Sequence, residues 1–444
     1  MMNIRNYTVP DFLGRDTREV SVQKIQTILD NMKNKGVIYM DGKDCITGYA
    51  YHELYDWDLY FETLFLSYFG ISKFCRNNVE LFLDRQHPSG FVSRTYGTCF
   101  PKPRHHFKPF LAQTALLGSR QSGDFRWLEG KYFEKLRKYL DYWFWYCDND
   151  KNGLAFWDGS DHSGMDNQAR RLGHVDVMEF EGVDLNCYLV RELDAMAEIA
   201  KQLARPEEAE AFKAQAAELR CKINNVFWDE EDGFYYDRSE KTGKLNKVKA
   251  ISGFFPLWVN AVPADRAERI IKEHLLNENE FWLKYPVATW SKSEPDYYQE
   301  RRKTECTWMG ATWIPTNYMV FRGLVNYGYT DIAKELAEKT YEMVVSEADL
   351  REYYNGETGS GQGLSPFWGW SSLGYVMKAE LEGGFCHSDV LTANFVTFDG
   401  FMVDIFAQLR HGAPILPAGA DQIPVQHDDL HKRHLFSPKL LRLL

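Results

Sequence analysis

Apolar residues recur at helical spacing along nearly the whole chain, and that rhythm restricts the fold more than any other feature. Phe133, Leu136, Leu140, Trp143 and Phe144 fall at 0, +3, +7, +10 and +11, and Leu189, Leu193, Met196 and Ala200 at 0, +4, +7 and +11. This is the stripe one side of an α-helix turns toward a core. Ile332, Leu336, Met343 and Val344 repeat it. The spacing predicts about twelve helices, near 20–34, 56–69, 71–86, 107–119, 130–147, 183–203, 206–226, 248–260, 263–276, 306–327, 330–348 and 364–382. Strand signals are sparse: GFYYDR at 233–238, beside the turn-forming WDEEDG, reads as a hairpin on a loop.

The connections are of two kinds. Some are tight; others, at 94–106, 148–182, 228–246, 280–300 and 351–363, are long and rich in Gly, Trp, Asp and His. In an all-helical chain such alternation suggests paired helices in a ring whose long loops gather at one end, where binding and chemistry usually reside. One domain over 1–395 accommodates the pattern. Residues 396–444, with HGAPILPAGADQIP and HKRHLFSPKLLRLL, leave the rhythm and read as a C-terminal extension, either a docked tail or an oligomer contact.

Charge and composition narrow the function. The formal net charge of -11, with Arg301, Arg302 and Lys303 as the longest basic run, argues against a surface that tracks phosphates, and so against nucleic acid. No signal-peptide run opens the chain and no stretch reaches membrane-span length, so the expected location is the cytoplasm, away from membranes. Eight cysteines stand singly without CxxC pairs, as reduced core thiols would. Aromatic residues make up 15%, which serves a rich core or stacking on pyranose rings.

Two loops carry carboxylates among aromatic and glycine residues. WDGSDHSGMDNQARR at 157–171 places Asp158, Asp161 and Asp166 with Arg170 and Arg171 around a Gly-rich turn, and REYYNGETGSGQG at 351–363 places Glu352 beside two tyrosines. The first, with Trp157 and Met165 among its acids, reads as a site by itself, whereas a lone Glu before a turn is usually a surface residue. Together they offer what glycosidic hydrolysis needs, an acid to protonate the leaving oxygen and a base to activate water.

SGMDNQAR at 163–170, VDLNCYL at 183–189, YPVATWSKSEPDYY at 285–298, TWMGATWIPTNYMVFRGLVNYGY at 307–329 and EYYNGETGSGQG followed by FWGWSSLGY at 367–375 resemble glycoside hydrolase family 63, with the trehalases of family 37 as relatives. The blocks keep family order from about residue 55 to 375. The resemblance implies an (α/α)6 barrel and an inverting α-glycosidase, with Asp166 as general acid and Glu352 as general base. YDWDLYFE at 55–62 is similar to the family's WDxYF segment, which implies that Tyr55, Trp57 and Asp58 hold the sugar beside the cleaved bond. HFKPFLAQTA at 106–115 likewise implies Gln113. Trp157, Gly164, Arg170, Trp308, Trp313 and Trp370 complete the implied wall, although Trp313 and Trp370 could equally seal helices together.

The chain departs from the family at Ala169, where Pro is common, and at Met309, where the YWRGPxW segment has Arg. The expected substrate is a short α-glucoside or α-mannoside such as glucosylglycerate, mannosylglycerate or a disaccharide. Arg104 and His105 are candidates to meet a carboxylated aglycone. A trehalase-like hydrolase, a sugar epimerase sharing the helical barrel, or a non-catalytic sugar-binding barrel are the alternatives.

Inversion requires carboxyl groups about 6.5 to 9.5 Å apart, and a general acid is expected to lie among apolar rings, with Arg170 turned toward another partner. No cofactor is expected. DNDKNGL at 148–154 resembles the first half of a calcium loop through Asp148, Asp150 and Asn152, with Glu179 or Glu181 as a distant ligand, but Gly159 stands where the loop's final Glu would be. An ordinary Asp/Asn/Gly turn is the simpler reading.

Overall fold

The computed structural model describes residues 17–67, 71–97, 105–157, 162–168, 180–302 and 306–383. Twelve α-helices occur among them: α1 (Thr17–Asn31), α2 (Asp56–Ser67), α3 (Lys73–Asp84), α4 (Leu111–Ser122), α5 (Lys131–Tyr146), α6 (Val183–Gln202), α7 (Pro206–Val226), α8 (Phe255–Trp258), α9 (Ala264–Ile270), α10 (Ile314–Asn326), α11 (Thr330–Ser346) and α12 (Leu373–Gly383).

The even-numbered helices form the inner ring. α2 packs on α4, α4 on α6, α6 on α8, α8 on α10, α10 on α12, and α12 returns to α2. The odd-numbered helices lie outside: α3 leans on α4, α5 on α6, α7 on α6, and α11 on α10 and α12. Burial separates the two sets. Every residue of α2 and α8 is buried, whereas α7 buries Ala209, Ala216, Leu219 and Ile223 only, as an amphipathic outer helix should. Inner-to-outer connections such as 203–205, 259–263 and 327–329 are short. Outer-to-inner connections, 85–110, 147–182, 227–254, 271–313 and 347–372, are long, so they meet at the mouth formed by the N-terminal ends of the inner helices.

The number of helices agrees with the periodicity, but several bounds do not. The segment expected as a helix from 306 begins its helix only at Ile314, where Pro315 suits a first turn that needs no N–H donor. Residues 306–313 form an extended strip instead, hydrogen-bonded to Tyr354 through Thr312. Likewise 364–372 is irregular and α12 starts at Leu373; α8 keeps four residues, preceded by a 3-10 turn at Ile251–Phe254. The expected hairpin forms as Trp228–Asp229 against Phe234–Tyr235. A second hairpin, Val37–Met40 against Lys43–Ile46, had a readable signal: Asp41 and Gly42 both take positive φ (44° and 81°), the demand of an Asp-Gly turn between strands.

No helix among the described residues is long and apolar enough to cross a membrane. Cys45, Cys75, Cys147 and Cys187 are buried free thiols, Cys221 is an exposed one, and Cys306 is part-buried. Cys99, Cys386 and the 396–444 extension lie outside the described residues.

Candidate active site

Glu352 stands on the loop before α12. The loop is pinned by a short hairpin, Tyr353–Tyr354 against Gly361–Gln362, and by the reciprocal Thr312–Tyr354 backbone pair. The Glu352 N–H donates to the Leu364 carbonyl at 3.0 Å, its Oε2 accepts the Leu364 N–H at 2.9 Å, and its carbonyl accepts the Trp370 indole N–H at 2.7 Å. Backbone and side chain are thus both fixed. Burial raises the Glu352 pKa above the ordinary carboxylate value; the negative charge of Asp166 adds to this, while the Leu364 N–H, Arg301 and the Cys306 thiol, Sγ 3.9 Å from Oε1, oppose it.

Asp166 lies on the loop of residues 162–168, across the mouth. Asn167 Nδ2 donates to the Tyr298 hydroxyl at 2.8 Å, while its Oδ1 accepts the Trp308 N–H at 2.9 Å. Gln168 Nε2 donates to the carbonyls of Thr289 and Trp308. Gly164 turns this loop with φ +81°, and a Cβ there would stand 3.0 Å from both Lys108 Nζ and Trp57 Cζ2, so glycine is required by conformation and by space. The expectation that Asp166 lies among apolar rings is not met. Its side chain is 49% exposed, and Arg94 Nη2 stands 3.9 Å from Oδ1. Arg170 and Ala169 lie outside the described residues, as do Arg104 and the acids at 158 and 161.

The aromatic residues expected as a wall do assemble. Trp308 stacks on Trp313 with centroids 3.6 Å apart, and Trp313 on Tyr353 at 4.5 Å. Trp57 meets Trp308 at 6.0 Å and Trp370 edge-on at 5.9 Å. Trp157 does not join them: its indole N–H donates to Asp184 Oδ1 at 2.9 Å and its ring meets Trp143 and Tyr188, anchoring the start of the acid-bearing loop to α6. Met309, in place of the family's Arg, is buried in a small cluster with Ala250 and Trp290.

Beneath this wall is a buried charged network of which the sequence reading found one member, Asp58. Asp56, in the first turn of α2, receives both Lys108 Nζ contacts at 2.7 Å, the Lys108 N–H at 3.1 Å and the Trp57 N–H at 2.8 Å, with Arg94 Nε 3.7 Å away. Lys108 Nζ also sits 4.8 Å over the Trp57 ring. Burial, then the neighbouring Asp56, push Asp58 up to about 7, against Lys108 and Arg94. Burial, then Arg94, bring Lys108 down to about 8, against Asp56. Tyr55 is raised by burial and lies beside Arg94, whose guanidinium is 6.0 Å from its ring. A lysine between Phe107 and Pro109, in an otherwise apolar run, was the available sign of a buried partner; Arg94 offered none.

Gln113 is held from two sides. Its N–H donates to Glu192 Oε2 at 3.0 Å, beside the Ala112 N–H at 2.6 Å, so the α6 carboxyl caps the first turn of α4. Gln113 Nε2 donates to the Pro109 carbonyl, and its buried Oε1 has no protein partner. His105 packs on His162 of the acid-bearing loop with centroids 4.0 Å apart.

The 148–154 loop closes on itself. Asp148 accepts the Asn152 and Gly153 N–H groups, Asp150 accepts the Asn152 N–H, and Glu181 accepts Asn152 Nδ2 at 2.5 Å. Among the described residues, Glu240 rather than Glu181 brings the third carboxylate within 4.8 Å of Asp148 and Asp150, and Glu179 lies outside the described residues. It accepts the N–H groups of Asn149 and Asp150, and Arg238 lies 3.7 Å from Asp150, so the chain supplies donors and positive charge to this cluster itself.

Comparison with known proteins agrees with this architecture. The mannosylglycerate hydrolase MGH1-like glycoside hydrolase domain matches residues 51–371. Mannosylglycerate hydrolase from Rubrobacter radiotolerans is 28% identical over 46% of this chain and 44% of its own length. Cytosolic neutral trehalase from Kluyveromyces lactis is 29% identical over 39% of this chain and 24% of its own length. The match therefore spans less than half the length of these relatives. The crystal structure of the family 63 mannosylglycerate hydrolase from Thermus thermophilus with Tris and D-glycerate superposes with a TM-score of 0.65 at 20% identity, covering 81% of this chain and 99% of that one. Neutral trehalase from Saccharomyces cerevisiae gives 0.58 at 18% identity, covering 80% and 79%. The fold shared with them is the (α/α)6 barrel. With its ring of six helical hairpins and a profile match over most of its length, the chain belongs to the MGH1-like glycoside hydrolase domain family within family 63.

Proposed function

We propose that the protein hydrolyses a short α-glycoside with inversion, Asp166 protonating the leaving oxygen and Glu352 activating the attacking water. The observation that carries this reading is that two carboxylates from separate loops meet at one mouth of the ring, near enough for the charge on Asp166 to raise the Glu352 pKa, beside stacked Trp308, Trp313 and Tyr353. Asp58, Trp57, Tyr55 and the open Oε1 of Gln113 bind the sugar; Gly164 lets the acid loop approach them. Glu352 must be ionised to take a proton from water. Its raised pKa makes it a stronger base than a surface carboxylate but sets an acid limit on activity.

The mannosylglycerate hydrolases among the relatives favour a mannosyl or glucosyl glycerate, with His105, packed on His162 of the acid-bearing loop, as the described candidate to meet the aglycone. The trehalases among them make trehalose the second candidate. The reading requires no cofactor, nucleic acid or membrane, and places the enzyme in the cytoplasm, where the buried and exposed free thiols suit a reducing environment.

A panel of glycosyl-glycerates and α-disaccharides followed by proton NMR tests it. Release of the β-anomer first from an α-linkage, lost in Asp166→Asn and Glu352→Gln, is the expected result. An α-anomer first would contradict inversion, epimerised product would place the protein with the epimerases, and binding without turnover would make it a sugar-binding barrel.

A further inference from the structure

The two oxygens of Glu352 have different surroundings. Oε2 accepts the Leu364 N–H at 2.9 Å, and the Gly363 backbone lies so close that a Cβ there would collide with it. Oε1 faces the strip of residues 306–313, where Cys306 Sγ stands 3.9 Å away, at the long end for a thiol donor. The carboxylate is thus held on one oxygen by the backbone and met on the other by a thiol. One lone pair of Oε1 remains for a proton of water.

The strip that carries the thiol is fixed between the loops of the two carboxylates. The Trp308 N–H donates to Asn167 Oδ1 at 2.9 Å, next to Asp166, and the Trp313 indole N–H donates to the Thr307 carbonyl at 2.8 Å. Thr312 and Tyr354 exchange both backbone bonds, at 2.8 and 2.9 Å. Cys306 is therefore anchored within two residues of the acid-bearing loop. Burial, then the charges of Glu352 and Asp166, push its pKa far above the usual thiol value, against Arg301. The Tyr353 phenol nearby is pushed up to about 12 by burial and stays neutral. Sulfur consequently keeps its proton across the working pH range, and toward a carboxylate it acts as a donor.

Resting on the glycosidase reading above, we propose that Cys306 is a positioning residue for the base: its thiol donates to Glu352 Oε1 and holds that oxygen toward the attacking water. The bond is strongest while Glu352 is ionised, because a charged oxygen is the better acceptor. When Glu352 takes the proton from water, the S–H keeps its own proton and the bond slackens. No proton passes through sulfur. The thiol orients the base before the step and extends its ionised range toward lower pH, offsetting part of what burial does to the carboxylate.

The test follows kcat and KM against pH for wild type, Cys306→Ala and Cys306→Ser on glucosylglycerate, mannosylglycerate and trehalose, with and without Glu352→Gln. In Cys306→Ala the acid limb of kcat/KM should move up by about half a pH unit, the size of one weak hydrogen bond to a charged acceptor. Its kcat should fall about three- to tenfold while KM stays within about twofold, since the contact touches the base and not the sugar. Cys306→Ser keeps a donor and should keep most of the limb. In the Glu352→Gln background, adding Cys306→Ala should alter the residual rate by less than about twofold. Infrared spectra add a readout that needs neither substrate nor the alanine variant. The S–H stretching band that disappears in Cys306→Ser should rise in frequency as Glu352 is protonated, and this step should vanish in Glu352→Gln. An acid limb unmoved in Cys306→Ala, a limb moved equally in Cys306→Ser, or an S–H band indifferent to pH would each make Cys306 a packing residue and overturn the proposal. Full turnover in Glu352→Gln would instead remove the base assignment, and the proposal with it, and is read from that variant alone.

Discussion

Removing the ammonium from Lys108 should weaken the inner wall more than any surface charge could. Its Nζ lies 2.7 Å from both oxygens of Asp56, and both side chains are 0% exposed. Lys108→Met keeps much of the apolar stem and deletes the charge, leaving a buried carboxylate with two backbone N–H donors and Arg94 at 3.7 Å. Breaking one partner out of a buried pair costs about 3–5 kcal/mol; Arg94 and the N–H groups bring the expectation to about 3 kcal/mol. With an unfolding entropy of about 2.1 cal/mol/K per residue, a chain of 444 residues shifts by roughly 1 °C per kcal/mol, so Tm should fall by about 3 °C. The assay is a double-mutant cycle with Asp56→Asn, read by thermal and urea unfolding. The single variants should each be less stable than the double variant would suggest by addition, with a coupling of at least about 2 kcal/mol. A coupling below about 0.5 kcal/mol, or a Lys108→Met protein as stable as wild type, would refute the account of this network.

Other perturbations address the mouth of the ring. Asp58 has its folded pKa raised by burial to about 7, so the folded state binds the proton more strongly and stability declines as pH climbs from about 4 to 7. The Tm of Asp58→Asn relative to wild type should therefore rise across that window and level off above it; a difference that does not vary with pH would show that Asp58 is not held protonated. Glu352→Gln removes a carboxylate whose charged form is disfavoured by burial, so Tm should rise slightly while turnover falls about 10²–10⁴-fold; a drop in Tm would contradict the burial argument. Gly164→Ala must adopt φ near +81° and push Lys108 or Trp57 aside, so it should lose about 1–2 kcal/mol from backbone conformation alone, and more from the displaced ring. Sugar affinity by calorimetry should weaken with it, and unchanged affinity would mean that the loop can move away from Trp57.

Local pattern was enough to set the helices and the kind of loop that joins them. Helical spacing needs no distant partner: Phe133, Leu136, Leu140 and Trp143 share a face through the 3.6-residue turn alone, and all four are buried on one side of α5. The pattern also singled out the loops of Asp166 and Glu352, because glycine, tryptophan and acids seldom crowd together on an ordinary surface turn. The limits of this reading are equally physical. Residues 306–313 have an apolar pattern suited to a helix, but pairing with Tyr354 and Asn167 draws them into an extended strip, and those partners come from distant loops.

That α12 returns to α2 and closes the ring had to come from the three-dimensional fold, since no local pattern encodes which inner helices meet. The closure in turn sets Lys108 against Asp56 across 52 residues of sequence, stacks Trp313 between Trp308 and Tyr353, withdraws Trp157 to Asp184, and leaves Asp166 half-exposed beside Arg94. A residue type announces which chemistry it can perform; its protonation and its partners depend on burial and on charges a few ångströms away, which the fold alone brings together.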